Sequence, residues 1–245
     1  AAGNGGVSVA TVTRTAGDAT GPRPSTTPAP ASESGTQAPE TSGSPATAEQ
    51  ATATQAPPAN GSAALTGFIY PIAGACLPQG EQLMPNAPRA YRDGIHEGVD
   101  FYGVDNCTAI GLGTPVVAVK AGRVIRIDHD YVDLTPQTLA AIRANPTSAS
   151  SLDAFRGRQI WLDHGDGVVT RYCHLSGVVP GLQVNDIVAQ GTTIAYVGES
   201  GTPGSVESQG SEFHLHWEVR VGDSYLGAGQ DAAQVRALYT ALFGP

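Results

Sequence analysis

The 245-residue sequence holds a single lysine, Lys120, and only 13 basic residues against 22 acids, for a formal charge of −9. That deficit excludes the cationic footprint with which proteins grip nucleic acid or anionic lipid. The sequence also lacks any run of 18 apolar residues, so it contains no segment that reads as a membrane-spanning helix. Leu, Ile and aromatic residues are missing from residues 1–64, which consist of Ala, Thr, Ser, Pro and Gly with scattered charge. Such a stretch buries too little apolar surface to offset about 1–2 kcal/mol of ordering entropy per residue. It is expected to be a disordered linker or stalk, one suited to holding a protein off a cell surface. The chain opens on Ala1-Ala2-Gly3 rather than on Met, which is compatible with removal of an upstream signal peptide or anchor.

From Leu65 the texture changes to short β-branched runs, each closed by Gly, Pro, Asp or Asn. They are Pro115–Val119, Gly122–Ile127, Gln159–Leu162, Val168–Tyr172, Thr193–Val197 and Phe213–Arg220. Many short strands between turn signals predict a mainly β domain over 65–245, a twisted antiparallel sheet or sandwich. Asp166-Gly167 is a strong hairpin signal. Helix is expected in two places. Thr135-Pro136 reads as a cap and first turn for a short helix, and Asp231 to Phe243 reads as a terminal one. The first falls within residues 128–156, between two strands expected to pair, and so reads as an insertion or lid.

Three cysteines are an odd number. Cys76 and Cys107 flank the His96 region in loop-like sequence and are expected to form a disulfide, in keeping with an acidic, lysine-poor, exported chain. Cys173 precedes His174 in a strand, points to the opposite face, and reads as a small buried hydrophobe.

Six histidines carry the chemical signal. In Phe213-His-Leu-His-Trp-Glu-Val-Arg220, strand alternation sends His214 and His216 to one face and Leu215, Trp217 and Val219 to the other. Two imidazoles over an apolar back form a chelating arrangement. His96-Glu-Gly-Val-Asp100 has zincin-like spacing, but Pro88, Gly94, Gly98 and Gly103 deny it a helix. In extended chain His96 and Asp100 would lie about 13 Å apart, so sharing an ion with bonds near 2.0–2.2 Å requires a turn, which Gly98 would permit. A third ligand from His214 or His216 would leave one coordination position open, the catalytic rather than the structural pattern. Tyr172-Cys-His-Leu-Ser176 places His174 at a strand end, where it could do acid/base work.

Taken in order, His96-x-x-x-Asp100, Tyr172-x-His-Leu-Ser176 and His214-Leu-His216 resemble the lysostaphin/LytM-type zinc endopeptidases, the M23 family. Gly113–Val119, Gly122-Arg-Val-Ile125, Asp163–Gly167 and Val197-Gly-Glu-Ser-Gly201 extend the resemblance over about Ile95 to Arg220. It implies a duplicated-hybrid-motif β fold, a Zn²⁺ cofactor held by His96, Asp100 and His216, and a catalytic pair His174 and His214. It also implies a bacterial cell-envelope or extracellular setting and a peptidoglycan peptide as substrate, cut at a crosslink or a glycine-containing bridge. On that reading His214 takes the water proton and His174 meets the oxyanion. Ser211-Glu-Phe213, ahead of His214, and the long 128–156 segment depart from the family pattern without removing any of the five residues.

Two other functions compete. One is a non-catalytic M23-like wall-binding protein, or an activator of a cell-wall amidase. The other is a lipoyl-type carrier, but Lys120 ahead of Ala121-Gly122 is not the exposed turn lysine such a module modifies. His129 and His164, among acids, read as solvent-facing turn residues, Glu97 as a rim residue, and Glu218 as an exposed strand charge or, alternatively, a carboxylate behind the ligands. Arg171 and Arg220 read as ion-pair partners, Trp161 and Trp217 as core.

Overall fold

The computed structural model describes residues 65–103 and 105–244. The expected disordered tail, residues 1–64, lies outside the described residues. In chain order the elements are β1 (Pro88–Arg89), β2 (Gly94–Ile95), β3 (Val99–Phe101), β4 (Pro115–Val117) and β5 (Gly122–Ile127), then helices α1 (Pro136–Ala144) and α2 (Ala149–Arg156). They continue with β6 (Ile160–Asp163), β7 (Val168–Cys173), β8 (Leu175–Val178), β9 (Ile187–Val188), β10 (Thr193–Val197), the one-turn helix α3 (Gly204–Glu207), β11 (Leu215–Val221), β12 (Ser224–Tyr225) and α4 (Ala232–Leu242).

The fold is mainly β. A seven-stranded antiparallel sheet runs β12-β11-β7-β6-β5-β9, with β3 also pairing β11. A second sheet of three strands runs β4-β10-β8, and β1 pairs β2. The strands form where β-branched residues alternate with polar ones, and the turns fall at glycine and aspartate. Between β6 and β7, Gly165, Asp166 and Gly167 take φ of 85°, 52° and 74°, the left-handed region that the Asp-Gly signal foretells. The core lies under the inward faces of both sheets: Leu215, Trp217 and Val219 of β11 are fully buried, as are Tyr172 and Ile194. Tyr239 of α4 meets Trp217 edge-on at 6.0 Å, and α4 starts at an Asp231–Gln234 capping box.

Between β5 and β6 the chain forms two helices, where the sequence predicts one. Thr135 caps α1, with Pro136 in its first turn. The second, α2, is serine-rich and has weak intrinsic propensity; it is capped by Ser148 and held by buried Phe155, which packs edge-on to Tyr91 at 5.8 Å. Trp161 is not core. It shares the outer face of the sheet with arginines of the neighbouring strands, and its ring lies between the Arg126 and Arg171 guanidiniums, 4.9 and 3.8 Å from its centroid. His164 is half-buried rather than solvent-facing, because Nδ1–H donates to Ala121 O at 2.9 Å and Nε2 lies 2.8 Å from Thr170 Oγ1. Cys76 and Cys107 are disulfide-bonded, and Cys173 is buried and free. Among the described residues no helix is long and apolar enough to cross a membrane.

Candidate metal centre

The site grows from β11, which is flanked by β3 on one side and β7 on the other. His216 sits directly opposite Asp100 of β3, and cross-strand partners share a face with Cβ atoms about 5 Å apart. His214 lies two residues earlier on the same face. His96 arrives from the segment between β2 and β3, its N–H donating to Ala87 O and its carbonyl accepting from Asn86, both at 2.8 Å. Gly98 between them does not take a positive φ. It is needed for space, since a Cβ there would lie 2.5 Å from Trp217 O and 2.9 Å from His216 Cε1.

Three ligand atoms converge. His96 Nε2, Asp100 Oδ1 and His216 Nδ1 form a buried triangle with sides of 2.9, 3.0 and 2.8 Å. The outer bonds fix what each atom offers. His96 Nδ1–H donates to Met84 O at 3.0 Å, so its Nε2 carries a lone pair when the ring is neutral. His216 Nε2–H donates to Glu218 Oε1 at 3.2 Å, which leaves its Nδ1 as a lone pair also. With the Asp100 carboxylate, three acceptors face one another across a space that demands positive charge. Burial pushes the His96 and His216 imidazoles down, but hydrogen bonds to Asp100 and Glu218 reverse this for His216 and hold it above its ordinary value, while His96 stays below. Burial raises Asp100, yet the charge of His96, the hydrogen bonds of His216 and His96, and the charge of His214 outweigh it and hold the carboxyl well below the usual range. Two imidazoles and one carboxylate are a donor set that fits zinc, with bonds near 2.0–2.2 Å and one position left over.

His174 and His214 line the same cleft. His174 stands between β7 and β8 with φ of 59°, a left-handed residue that turns one strand into the next, and its Nδ1–H donates to Ser200 O at 2.8 Å. His214 Nδ1–H donates to Glu212 O at 2.6 Å, and its Nε2 lies 3.8 Å from Asp100 Oδ1. Both rings, 4.6 Å apart between centroids, therefore present an unprotonated Nε2 when neutral. Burial keeps them so: it lowers His214, and with the charges of His214 and His216 it holds His174 well below its ordinary value. Sequence reasoning missed Tyr102, whose ring stacks on His214, although its position two residues after Asp100 on the same strand line was a readable cue. It also missed Arg89, which donates to Asp100 Oδ2 at 2.9 Å and had no such cue.

Behind the triangle, Glu218 is fully buried and accepts from three arginines. Arg156 Nε reaches its Oε1 at 2.5 Å, while Arg171 and Arg220 reach Oε2 at 3.3 Å. Burial raises this carboxyl, but His216 and the arginines hold it far below the usual range. Glu97 accepts from Arg156 and Arg220 at 2.5 and 2.8 Å. In front, a cavity of about 380 Å³ opens between Arg89 and Tyr91 on one side, Leu152 and Phe155 of α2 on another, and Thr202, Pro203 and Glu212, a size ordinary for small-ligand and peptide-subsite clefts.

Residues 94–228, more than half of the chain, match the model of Peptidase family M23, and the chain belongs to that family. Solved structures similar to it include a zinc-containing peptidase from Vibrio cholerae (23% identity, TM-score 0.41, covering 64% of this chain and 38% of that one). The catalytic domain of the antimicrobial peptidase lysostaphin from Staphylococcus simulans is another (24%, TM-score 0.38, 62% and 85%). A third is the catalytic domain, in mutant form, of the prophage-encoded M23 protein EnpA from Enterococcus faecalis (18%, TM-score 0.36, 61% and 92%). The chain thus spans well under half the length of the Vibrio cholerae chain it matches. No curated protein matches it.

Proposed function

We propose that this chain is a zinc metalloendopeptidase acting on the peptides of bacterial peptidoglycan, outside the cell or in its envelope. The observation that carries the reading is the acceptor-only triangle of His96, Asp100 and His216 with two lone-pair imidazoles beside it, in a chain of the M23 family. The peptidase unit spans 65–245, with 128–156 as an insertion. His96, Asp100 and His216 would hold the zinc; when bound, it polarises the scissile carbonyl and lowers the pKa of attacking water toward about 7. The chain's own groups do the rest. His214, with Nδ1–H fixed on Glu212 O, accepts the water proton at Nε2 and returns it to the leaving amine. His174, with Nδ1–H fixed on Ser200 O and its ring held neutral by burial, offers Nε2 as a second lone pair that orients the attacking water; the oxyanion role expected from the sequence would need that nitrogen protonated. Asp100 holds its orientation through Arg89.

The test is digestion of defined crosslinked and glycine-bridged wall peptides, with and without chelator, read by mass spectrometry beside the zinc content of the protein. One zinc per chain and cleavage that disappears in His214→Ala are expected. A protein that takes up no zinc from metal-replete buffer refutes the proposal. A zinc-loaded protein that cuts no wall fragment but stimulates a partner hydrolase moves the function to wall binding or amidase activation.

A further inference from the structure

Arg156 closes α2, the second helix of the segment between β5 and β6, and it touches all three parts of the site. Its guanidinium donates through Nε to Glu218 Oε1 and through Nη2 to Glu97 Oε2, each at 2.5 Å. Its main-chain carbonyl accepts the His174 N–H at 2.9 Å. Glu218 Oε1 is the same oxygen that faces His216 Nε2, and Arg156 alone among the three arginines around Glu218 bonds that oxygen. Glu97 stands between His96 and Gly98, in the segment that leads from one corner of the triangle into β3, which carries Asp100. The residue after Arg156 is locked as well. Gly157 has φ of 68° and packs so closely on Ser200 that a Cβ would lie 2.1 Å from Ser200 O, the acceptor of His174 Nδ1–H.

We infer that Arg156 is a positioning residue through which the α1–α2 segment sets the orientation of His216. The segment is then not only a cleft wall. An imidazole binds a metal well when its outer N–H is held by a fixed carboxylate, and disturbing such outer partners costs about 10–100-fold in metal affinity. With Arg156 gone, Glu218 keeps two longer arginine contacts, both on Oε2, and the 3.2 Å bond from His216 Nε2 is all that holds Oε1 in place.

The inference rests on the proposed metal site but not on catalysis, so its test reads affinity. Zinc binding by the full chain is measured against a competing chelator for wild type, Arg156→Gln and Arg156→Lys, with circular dichroism to confirm folding. In the metal-free protein, the ¹⁵N–¹H signal of His216 Nε2 is followed in parallel. Arg156→Gln is expected to weaken zinc binding about tenfold and to lose the imidazole signal to exchange. Arg156→Lys, which keeps the cation but reaches only one carboxylate, should fall between. Should Arg156→Gln fail to fold, the Lys variant decides by the same two readouts. Equal zinc affinity and an undisturbed His216 signal in the folded variants overturn the inference. A wild-type protein that binds zinc yet cleaves nothing sinks the peptidase reading without touching this comparison.

Discussion

The ring of Tyr102 lies flat on that of His214, with centroids 4.3 Å apart and planes within 11°. Together with the hydrogen bond from Nδ1 to Glu212 O, the stack leaves His214 one orientation, with Nε2 toward Asp100. An aromatic stack is worth about 0.5–1.5 kcal/mol. Tyr102→Ala should therefore lower kcat on a wall peptide between about twofold and tenfold, while Tyr102→Phe, which keeps the stack, should stay near wild type. Steady-state kinetics check this, and a phenylalanine variant as slow as the alanine one would assign the effect to the hydroxyl instead.

Gly98 has no room for a methyl group against Trp217 O and His216 Cε1. Gly98→Ala is expected to cost about 1–3 kcal/mol through overpacking. For a domain of this size that is a fall of several degrees in Tm at about 2–4 °C per kcal/mol. Because the clash pushes on His216, zinc affinity should drop with it. A calorimetric scan with and without zinc measures both, and an unchanged Tm would show that the loop gives way without cost.

Cys76 and Cys107 close a loop of sequence separation 31 that contains His96 and Asp100. Replacing both by serine should remove about 2–4 kcal/mol of stability, read as a lower urea midpoint. If reductant leaves the wild-type midpoint where it was, the bond contributes nothing to equilibrium stability.

His164 supplies a pH dependence away from the metal site. Burial holds its imidazole below the ordinary 6.5, so on acidification the unfolded chain binds this proton first. Its contribution is full above about pH 6.5 and is lost as pH falls from there through the lower folded-state value. Phe68 packs edge-on against the neutral ring at 5.8 Å. In urea denaturation at pH 7.5 and 5.5, the stability gap between wild type and His164→Gln should therefore narrow at the lower pH. A gap of constant size would mean that the ring titrates alike in both states.

Local pattern was enough to bring out β5 and β10 with their observed ends, as β-branched runs between turn residues, the Asp-Gly turn from its dipeptide, and the two faces of β11 from alternation. Those features depend on neighbours along the chain. Trp161 and His164 read wrongly for the complementary reason: each sits where local pattern names a face but not what covers it. Arginines from β5 and β7 cover Trp161, and Ala121 and Thr170 hold His164. Helix α2 escaped because its serines carry little propensity and its hold comes from Phe155 against a tyrosine 64 positions earlier.

By itself the sequence determined the kind of chemistry available, since the residue types and their order name a histidine and carboxylate set and a β scaffold to hold it. Tertiary structure alone decided which imidazole nitrogen of each ring points inward. That choice belongs to Met84, Glu218, Ser200 and Glu212, whose oxygens take the outer protons. Met84 and Ser200 come from 12 and 26 positions away, and even Glu212 and Glu218, two positions from their histidines, meet them only in the backbone geometry that the folded sheet imposes.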